Sequence, residues 1–298
     1  MVNLHELLER TSRTFALAIP VLQEPLRRHV GLAYLLFRIA DTLEDATSWS
    51  QAERVEALGD FASLLRAPLA GGRRELAERW IEGPPCPHAG YLGLLRALPQ
   101  VLDALVEMPH ATREIVTSHL LRTVHGMVAF VQRGRADGSL ALSDEADLLD
   151  YCYVVAGIVG EMLTEMFLEA EPVLGSHSGP LRRTARQFGE GLQLVNILRD
   201  AGEDAQAGRV YIGRGVARPQ VMARARRDLR EAEAYVETLR QAGASREILA
   251  FCLIPLRLAS ATLLAVDQDG PGAKVSRAAV GRIIASVNVE VAEEAITA

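Results

Sequence analysis

The stretch VGLAYLLFRIADTLED, residues 30–45, decides the fold class. Its apolar side chains recur at helical spacing and lead directly into carboxylates. The predicted helix face carries Val30, Tyr34, Phe37, Asp41 and Asp45. Because the same periodicity continues along most of the chain and alternating β-branched residues are scarce, we predict an all-α fold. The predicted helices cover residues 23–46, 50–68, 92–132, 143–170, 180–206, 218–242, 246–266 and 275–295.

Short clusters of glycine and proline separate these helices, such as Gly83-Pro84-Pro85 and Gly270-Pro271-Gly272. None of them has the length of a flexible linker. Since nearly half of the 298 residues are apolar, the chain can bury one large core. We therefore predict a single helical domain over residues 1–298.

The net charge of −6 argues against a nucleic-acid-binding protein, which needs a basic face. The three cysteines are widely separated and indicate neither a disulfide framework nor a zinc site. Charged residues interrupt the N-terminal turns, so we expect no secretory signal. The most apolar stretches are too short to span a bilayer or contain arginine. We expect a cytoplasmic protein without a transmembrane anchor. Transient contact with a membrane would serve to release a hydrophobic product. The oligomeric state stays open.

The first acidic cluster consists of Asp41, Glu44 and Asp45. Asp41 and Asp45 are one helical turn apart, about 6 Å along the axis, so both carboxylates can reach one cation. Burying such charges is costly unless a metal or another cation compensates, and Arg38 is the nearest partner in the sequence. A solvated helix end explains this cluster equally well, because short acidic clusters are common on surfaces.

Residues 192–204 read LQLVNILRDAGED, an apolar helix with a narrow polar stripe. The stripe consists of Gln193, Asn196, Asp200 and Asp204, of which the last three form the second acidic cluster. Their amide and carboxylate oxygens suit Mg²⁺ rather than zinc. Gly208 permits a sharp turn, from which Arg209 can return toward the carboxylates. A surface helix explains this stripe less well, since such helices expose about half their circumference. Two helices of similar design favour one shared site.

The chemistry of this site follows from charge. Carboxylates repel a diphosphate and bind it only through bridging cations, whereas arginines contact its oxygens directly. Metal binding also makes diphosphate a better leaving group. If it leaves an allylic carbon, the resulting carbocation needs a dry cavity with aromatic or aliphatic walls. The candidate wall residues, which are more often plain core, are Tyr34, Phe37, Tyr151, Tyr153 and Phe188.

Four segments of the chain resemble the squalene/phytoene synthase family, in the family's order. They are Ser12-Arg13-Thr14-Phe15, residues 34–45 (YLLFRIADTLED), residues 151–160 (YCYVVAGIVG) and residues 196–212 (NILRDAGEDAQAGRVYI). Together they span most of the chain and are highly specific. The resemblance implies a helical bundle of the isoprenoid-synthase type around a central cavity. In such a bundle the two acidic helices face each other, and Mg²⁺ bridges them to a prenyl diphosphate.

The resemblance also implies roles for individual residues. The implied metal ligands are Asp41, Glu44, Asp45, Asn196, Asp200 and Asp204. The implied substrate-binding residues are Ser12, Arg13, Thr14, Phe15, Phe37, Arg38, Gln193, Asn196, Arg199, Arg209 and Tyr211. Tyr34 and Tyr151 match tyrosines thought to act in carbocation chemistry and form the catalytic set with Asp41, Asp45, Asp200 and Asp204. Thr14 departs from the usual serine and Gly213 from the usual proline. The small residues at 156, 157 and 160 let a substrate chain or a neighbouring helix approach closely.

Family members join two prenyl diphosphates through a cyclopropyl diphosphate, which squalene synthases ionise again and reduce with NADPH. The first acidic motif resembles the squalene synthase version and the second the phytoene synthase version. We expect squalene from two farnesyl diphosphates through presqualene diphosphate. The alternatives are an enzyme that stops at presqualene diphosphate and a phytoene or dehydrosqualene synthase. The chain shows no Gly-x-Gly-x-x-Gly after a strand, which is weak evidence against NADPH and leaves its use open.

Two other classes of protein fit less well. A di-iron carboxylate bundle needs two Glu-x-x-His motifs, and only Glu107 to His110 matches, with Pro109 spoiling the helix. A noncatalytic helical partner protein is expected to lose acidic ligands, and all of them are present here.

Overall fold

The computed structural model describes residues 4–12, 15–134, 140–212 and 215–297. Most of these residues are helical, which confirms the predicted all-α fold. The chain divides into two compact units. The first comprises Met1–Ala16 and Glu24–Leu140, and the second Leu17–Gln23 and Ala141–Ala298. The single domain over residues 1–298 stays a prediction.

The first unit is a bundle of helices around an apolar core. Its helices are α1 (Leu4–Thr11), α3 (Leu26–Glu44), α4 (Gln51–Arg66), α5 (Arg73–Glu82), α6 (Ala89–Arg96), α7 (Leu98–Glu107) and α8 (His110–Arg133). The short α2 (Phe15–Ala18) contains the point in the sequence where the first unit ends and the second begins. Several apolar side chains of α3, among them Leu35, Leu36 and Ile39, are fully buried. Each such side chain contributes about 1.5–3 kcal/mol of hydrophobic stabilisation.

The second unit is also helical. It contains α9 (Glu145–Cys152), α10 (Ile158–Ala170), α11 (Ser178–Gln206), α12 (Arg218–Gln241), α13 (Arg246–Asp269) and α14 (Arg277–Thr297), with 3₁₀ turns at Ile19–Val21 and Pro172–His177. The two-residue strands β1 (Leu140–Ala141) and β2 (Arg209–Val210) are paired, and the Leu142 amide donates to the Val210 carbonyl at 3.3 Å. A π-helical turn, Tyr153–Gly157, joins α9 to α10.

The predicted helix over residues 92–132 is wrong, because the chain forms α6, α7 and α8 there. Pro99 lies in the first turn of α7, and Pro109 immediately precedes α8. Proline has no amide hydrogen to donate and disfavours helical geometry in the residue before it, so each proline starts a new helix. The short helices α1 and α5 were not predicted. The predicted helix over 143–170 contains the π turn, a feature often found at functional sites.

Glycines let α11 pack very closely against the segment around the π turn. A Cβ atom at Gly160 would lie 2.1 Å from the Ala185 carbonyl oxygen, and one at Gly189 would lie 2.0 Å from the Ala156 carbonyl oxygen. Real Cβ atoms do not approach backbone this closely, so both positions require glycine. The small residues at 156, 157 and 160 therefore admit a neighbouring helix, one of the two uses expected for them.

Two helical stretches are long and apolar enough to span a membrane. They are Glu145–Ala170 and Arg246–Asp269, with 26 and 24 residues. Two of the apolar stretches expected to be too short or interrupted by arginine are parts of these longer helices, which pass a test of length and composition only. Half of the most apolar window in the first helix and 67% of that in the second are buried, a pattern that core helices also show.

Candidate active site

The first acidic cluster lies on a half-exposed stripe of α3. Tyr34, Arg38, Asp41 and Asp45 form this stripe, whereas Val30 and Phe37 are buried. The five predicted positions lie along one side of α3, with Val30 and Phe37 at the buried edge of that side. Positions 37 and 38 are both about one helical turn from 34 and 41. The apolar Phe37 packs into the core, whereas the charged Arg38 lies at the half-exposed edge. Asp45 ends the helix, and its amide donates to the Asp41 carbonyl at 2.8 Å.

Arg38 neutralises the cluster from within α3. Its Nη1 lies 3.3 Å from Asp41 Oδ2, and its Nη2 donates to the Tyr34 hydroxyl at 3.1 Å. Burial lowers the pKa of Arg38, but the charges of Asp41 and of the tyrosines outweigh it and hold the pKa above its ordinary value. Burial raises the pKa of Asp41 to about 6, with Arg38 opposing the rise and Asp45 adding to it. A further cation beside Asp41 would lower this pKa, because an opposite charge favours the ionised carboxylate.

Glu44 differs from the two aspartates. Its side chain is only 7% exposed, and the Nη1 atom of the equally buried Arg54 donates to its main-chain carbonyl at 3.2 Å. The structure thus groups Asp41 with Asp45 on the stripe and places Glu44 on the inner side of α3. Its role as a metal ligand stays a prediction.

The N-terminal motif contacts this stripe. The Tyr34 hydroxyl donates to the Thr11 carbonyl at 3.0 Å, and the ring centroids of Phe15 and Tyr34 are 5.8 Å apart. The Ser12 hydroxyl accepts from the Ala16 amide at 2.9 Å. Arg13 and Thr14, two further predicted substrate-binding residues, lie outside the described residues.

The second acidic cluster lies on α11 as predicted. Gln193, Asn196, Arg199, Asp200 and Asp204 are all half-buried, and the intervening apolar residues are buried. Arg199 clasps its neighbour Asp200 through two hydrogen bonds, from Nε at 2.6 Å and from Nη2 at 2.5 Å. These bonds raise the pKa of Arg199 above its ordinary value, although burial opposes the rise. The Arg199 carbonyl accepts from the Gly272 amide at 2.7 Å, which ties α11 to the loop before α14.

The turn after α11 brings an arginine back to the cluster, as the sequence predicts. Gly208 has a φ of 77°, which favours glycine, and the Arg209 Nη2 atom lies 3.4 Å from Asp204 Oδ1. Arg209 thus contacts the carboxylate itself. In the second unit, Asp200 therefore has Arg199 as its counter-ion, and Asp204 has Arg209.

Tyr151 and Tyr211 meet in the second unit, although sixty positions separate them. Their hydroxyl oxygens are 3.0 Å apart and their ring centroids 5.0 Å apart, and both residues are buried. The sequence assigns them different roles, catalytic for Tyr151 and substrate-binding for Tyr211. The structure thus brings these two predicted site residues into direct contact, while their roles stay predictions.

Sequence reasoning missed two groups of residues. Tyr91 of α6 packs against Arg38, and nothing in its local sequence signals this. Glu190 and Asp228 are completely buried carboxylates that pair with Arg186 and Arg224 between α11 and α12. Burial raises the pKa of both carboxyls, with the arginines opposing the rise. Charged residues one turn apart on α11 and α12 are the only sequence signal for this network.

The donor chemistry of both clusters fits Mg²⁺. Carboxylate and amide oxygens are its preferred protein ligands, and it is commonly held by one or two carboxylates together with phosphate oxygens. Asp41 and Asp45 offer two carboxylates on one stripe, and Asn196, Asp200 and Asp204 offer a second oxygen set. Within the described ranges, no three His, Cys, Asp or Glu side chains form a preassembled metal cage.

Comparisons with known proteins agree with these features. Residues 8–220 match the family model for squalene/phytoene synthase. Squalene synthase BSS of Botryococcus braunii is 30% identical over 203 residues, which cover 67% of this chain and 40% of that protein. The squalene synthase of Schizosaccharomyces pombe is 26% identical over 290 residues, which cover 89% of this chain and 59% of that protein. The chain thus spans about half the length of these curated relatives.

A solved complex of TcSQS with a ligand has the same fold. It superposes with a TM-score of 0.78 at 23% identity and covers 97% of this chain and 87% of that chain. Because the family model matches more than two thirds of the sequence and includes both acidic clusters, this chain belongs to the squalene/phytoene synthase family.

Proposed function

We propose that the chain is a prenyltransferase that condenses two farnesyl diphosphates head to head, through presqualene diphosphate, to squalene. The observation that carries this proposal is the design of the two acidic clusters. Each places aspartates one turn apart on a half-buried stripe, with an arginine already paired to a carboxylate. Membership in the squalene/phytoene synthase family supports the same reaction class.

In this proposal, Asp41 and Asp45 hold Mg²⁺ in the first unit, and Asn196, Asp200 and Asp204 hold it in the second. Bound magnesium neutralises the diphosphate and makes it a better leaving group. Arg38, Arg199 and Arg209 supply N–H donors to diphosphate oxygens that no metal contacts. Glu44 is the weakest member of the proposed ligand set, because its side chain is buried against the core.

The reaction has two ionisation steps. Loss of diphosphate from one donor gives an allylic cation, the double bond of the second donor attacks it, and loss of a proton closes the cyclopropane. Loss of the second diphosphate would then give a cation, which in a squalene synthase would be reduced by a hydride that NADPH supplies. We propose that Tyr34 and Tyr151 stabilise these cations with their aromatic rings and exclude water, and that Tyr211 supports Tyr151 through their hydrogen bond.

A phytoene or dehydrosqualene synthase is the second candidate, because the second acidic motif, Asn196 to Asp204, resembles the phytoene type. Such an enzyme uses the same first ionisation but needs no hydride. An enzyme that stops at presqualene diphosphate differs from the favoured proposal only in the last step. The product therefore separates all three.

The test incubates the purified protein with Mg²⁺ and farnesyl diphosphate, with and without NADPH, and identifies the products by mass spectrometry. We expect squalene with NADPH and presqualene diphosphate without it. Presqualene diphosphate under both conditions would identify the truncated reaction. Dehydrosqualene, or activity only with geranylgeranyl diphosphate, would identify the second candidate. The absence of any C30 or C40 product would contradict the proposed reaction class.

We further propose that the enzyme works in the cytoplasm and contacts membranes only to release its hydrocarbon product. The partial burial of the two apolar helical stretches supports this location, because core helices have the same length and composition. Fractionation of cells expressing the protein tests it. We expect the protein in the supernatant after high-speed centrifugation, and retention in the membrane pellet after a carbonate wash would contradict it.

A further inference from the structure

Two tyrosine rings flank the guanidinium of Arg38. Its central carbon lies 5.5 Å from the ring centroid of Tyr34 and 5.4 Å from that of Tyr91. Tyr34 is one turn away on α3, whereas Tyr91 comes from α6. A guanidinium within about 6 Å of an aromatic face is stabilised by the charge distribution of the ring.

The chain holds Tyr91 in this place by two devices. A Cβ atom at Gly90 would lie 2.4 Å from the Arg10 carbonyl oxygen, so only glycine allows α6 to lie so close to the end of α1. His88 caps α6, with its Nδ1 accepting from the Tyr91 amide at 3.3 Å, and its ring centroid is 4.1 Å from that of Tyr91. The Tyr91 ring is thus fixed by neighbours on both sides.

The contacts of Arg38 define its orientation. One terminal nitrogen points to Asp41 and the other to the Tyr34 hydroxyl, at 3.3 Å and 3.1 Å. Two rings and two polar partners around the guanidinium leave its plane few orientations. A fixed plane favours bidentate contacts to phosphate oxygens, because less rotamer entropy is lost when they form.

We propose that Tyr91 is a positioning residue of the diphosphate site, which acts by holding the Arg38 guanidinium in the orientation that receives diphosphate oxygens. This inference rests on the proposed function, in which Arg38 contacts the diphosphate. Tyr91 itself does not need to touch the substrate. Its aromatic ring carries the effect, and its hydroxyl does not.

The test measures binding of inorganic pyrophosphate in the presence of Mg²⁺ by calorimetry, without any turnover. Tyr91→Leu should weaken binding about tenfold, since a partly desolvated cation–π contact is worth roughly this factor. Tyr91→Phe keeps the ring and should bind like the wild type. Phe130→Leu is the matched control, because Arg133 lies 4.9 Å from the Phe130 ring in the same unit. It should leave binding unchanged.

A double-mutant cycle with Arg38→Gln tests whether Tyr91 affects pyrophosphate binding through Arg38. In that background Tyr91→Leu should cause no further loss, and a full tenfold loss there would overturn the inference. Equal losses for Tyr91→Phe and Tyr91→Leu would overturn it too. If Arg38→Gln weakens binding but Tyr91→Leu does not, only the inference fails. Unchanged binding in Arg38→Gln refutes the role of Arg38 in the proposed function. Urea unfolding checks each variant, and Tyr91→Met replaces Tyr91→Leu if the latter does not fold.

Discussion

In the first acidic cluster two tyrosine rings contact the arginine, whereas in the second Arg199 is paired with the carboxylate beside it. Arg38 lies between two tyrosine rings and also donates to a tyrosine hydroxyl. Arg199 instead uses two of its donors on both oxygens of Asp200, next to it in the sequence. Both clusters nevertheless have the same spacing of four residues between their aspartates.

Two clusters with the same carboxylate spacing can therefore differ in how well their arginine is oriented before a diphosphate binds. The first cluster presents a guanidinium whose orientation does not depend on Asp41 alone. In the second, a metal that binds Asp200 as proposed would compete with the two hydrogen bonds from Arg199. We therefore expect substrate binding at the first cluster to depend on the planar shape of Arg38. Binding at the second cluster should depend mainly on the positive charge of Arg199.

The largest expected effect is loss of the aspartates. Asp41→Ala and Asp200→Ala should each reduce turnover of farnesyl diphosphate about a thousandfold, because metal-assisted departure of diphosphate is lost. Circular dichroism should show unchanged helicity. Asp103→Ala and Asp267→Ala, which remove arginine-paired surface aspartates in the first and second unit, are the controls. Near-normal turnover in either test variant contradicts the idea that both clusters serve one reaction.

The packing of α11 upstream of its cluster gives the next effect. Gly189→Ala should lower the free energy of unfolding by about 3 kcal/mol, because the new methyl group collides with the Ala156 carbonyl. Gly202→Ala, in the same helix with open space around it, should stabilise the protein by about 0.5–1 kcal/mol. Urea unfolding measures both. Similar changes in the free energy of unfolding for the two variants would refute the contrast between the closely packed position 189 and the open position 202 of α11.

Replacing arginine by lysine tests the comparison directly. Arg38→Lys should raise the KM for farnesyl diphosphate about thirtyfold, since lysine keeps the charge but loses the planar fork and most of the ring contact. Arg199→Lys should raise it only about fivefold. Steady-state kinetics at saturating Mg²⁺ give both values. Equal increases would mean that the tyrosine rings add nothing to the first cluster.

The smallest effect concerns pH. The pKa of Asp41 is raised to about 6, so the folded protein binds more protons than the unfolded chain between about pH 4 and pH 6. Its contribution to stability is therefore present below pH 4 and is lost as the pH rises through 6. Asp41→Asn should raise the free energy of unfolding at pH 7 by about 1 kcal/mol, since partial solvent exposure reduces the penalty. Urea unfolding at pH 5 and pH 7 measures the difference. If the free energy of unfolding of Asp41→Asn changes between pH 5 and pH 7 as much as that of the wild type, another group causes the pH dependence.

The helical periodicity of the sequence predicts the all-α fold, the polar stripe of α11 and the return of Arg209 after Gly208, because these features depend on neighbours within a few residues. The choice between Phe37 and Arg38 for the stripe depends on which side of α3 meets the core. Tyr91 is more than fifty positions from Arg38 in the sequence, and the packing of α6 against α1 and α3 brings the two together. The breaks at Pro99 and Pro109 follow from local chemistry and were predictable.

Release of inorganic pyrophosphate from farnesyl diphosphate tests the central claim most directly, because it reports the first ionisation whatever the final product is. The wild-type protein should release pyrophosphate with Mg²⁺, stop when excess EDTA is added and resume when Mg²⁺ is restored. Release that continues undiminished in excess EDTA would contradict the account of two acidic clusters that hold magnesium against a prenyl diphosphate.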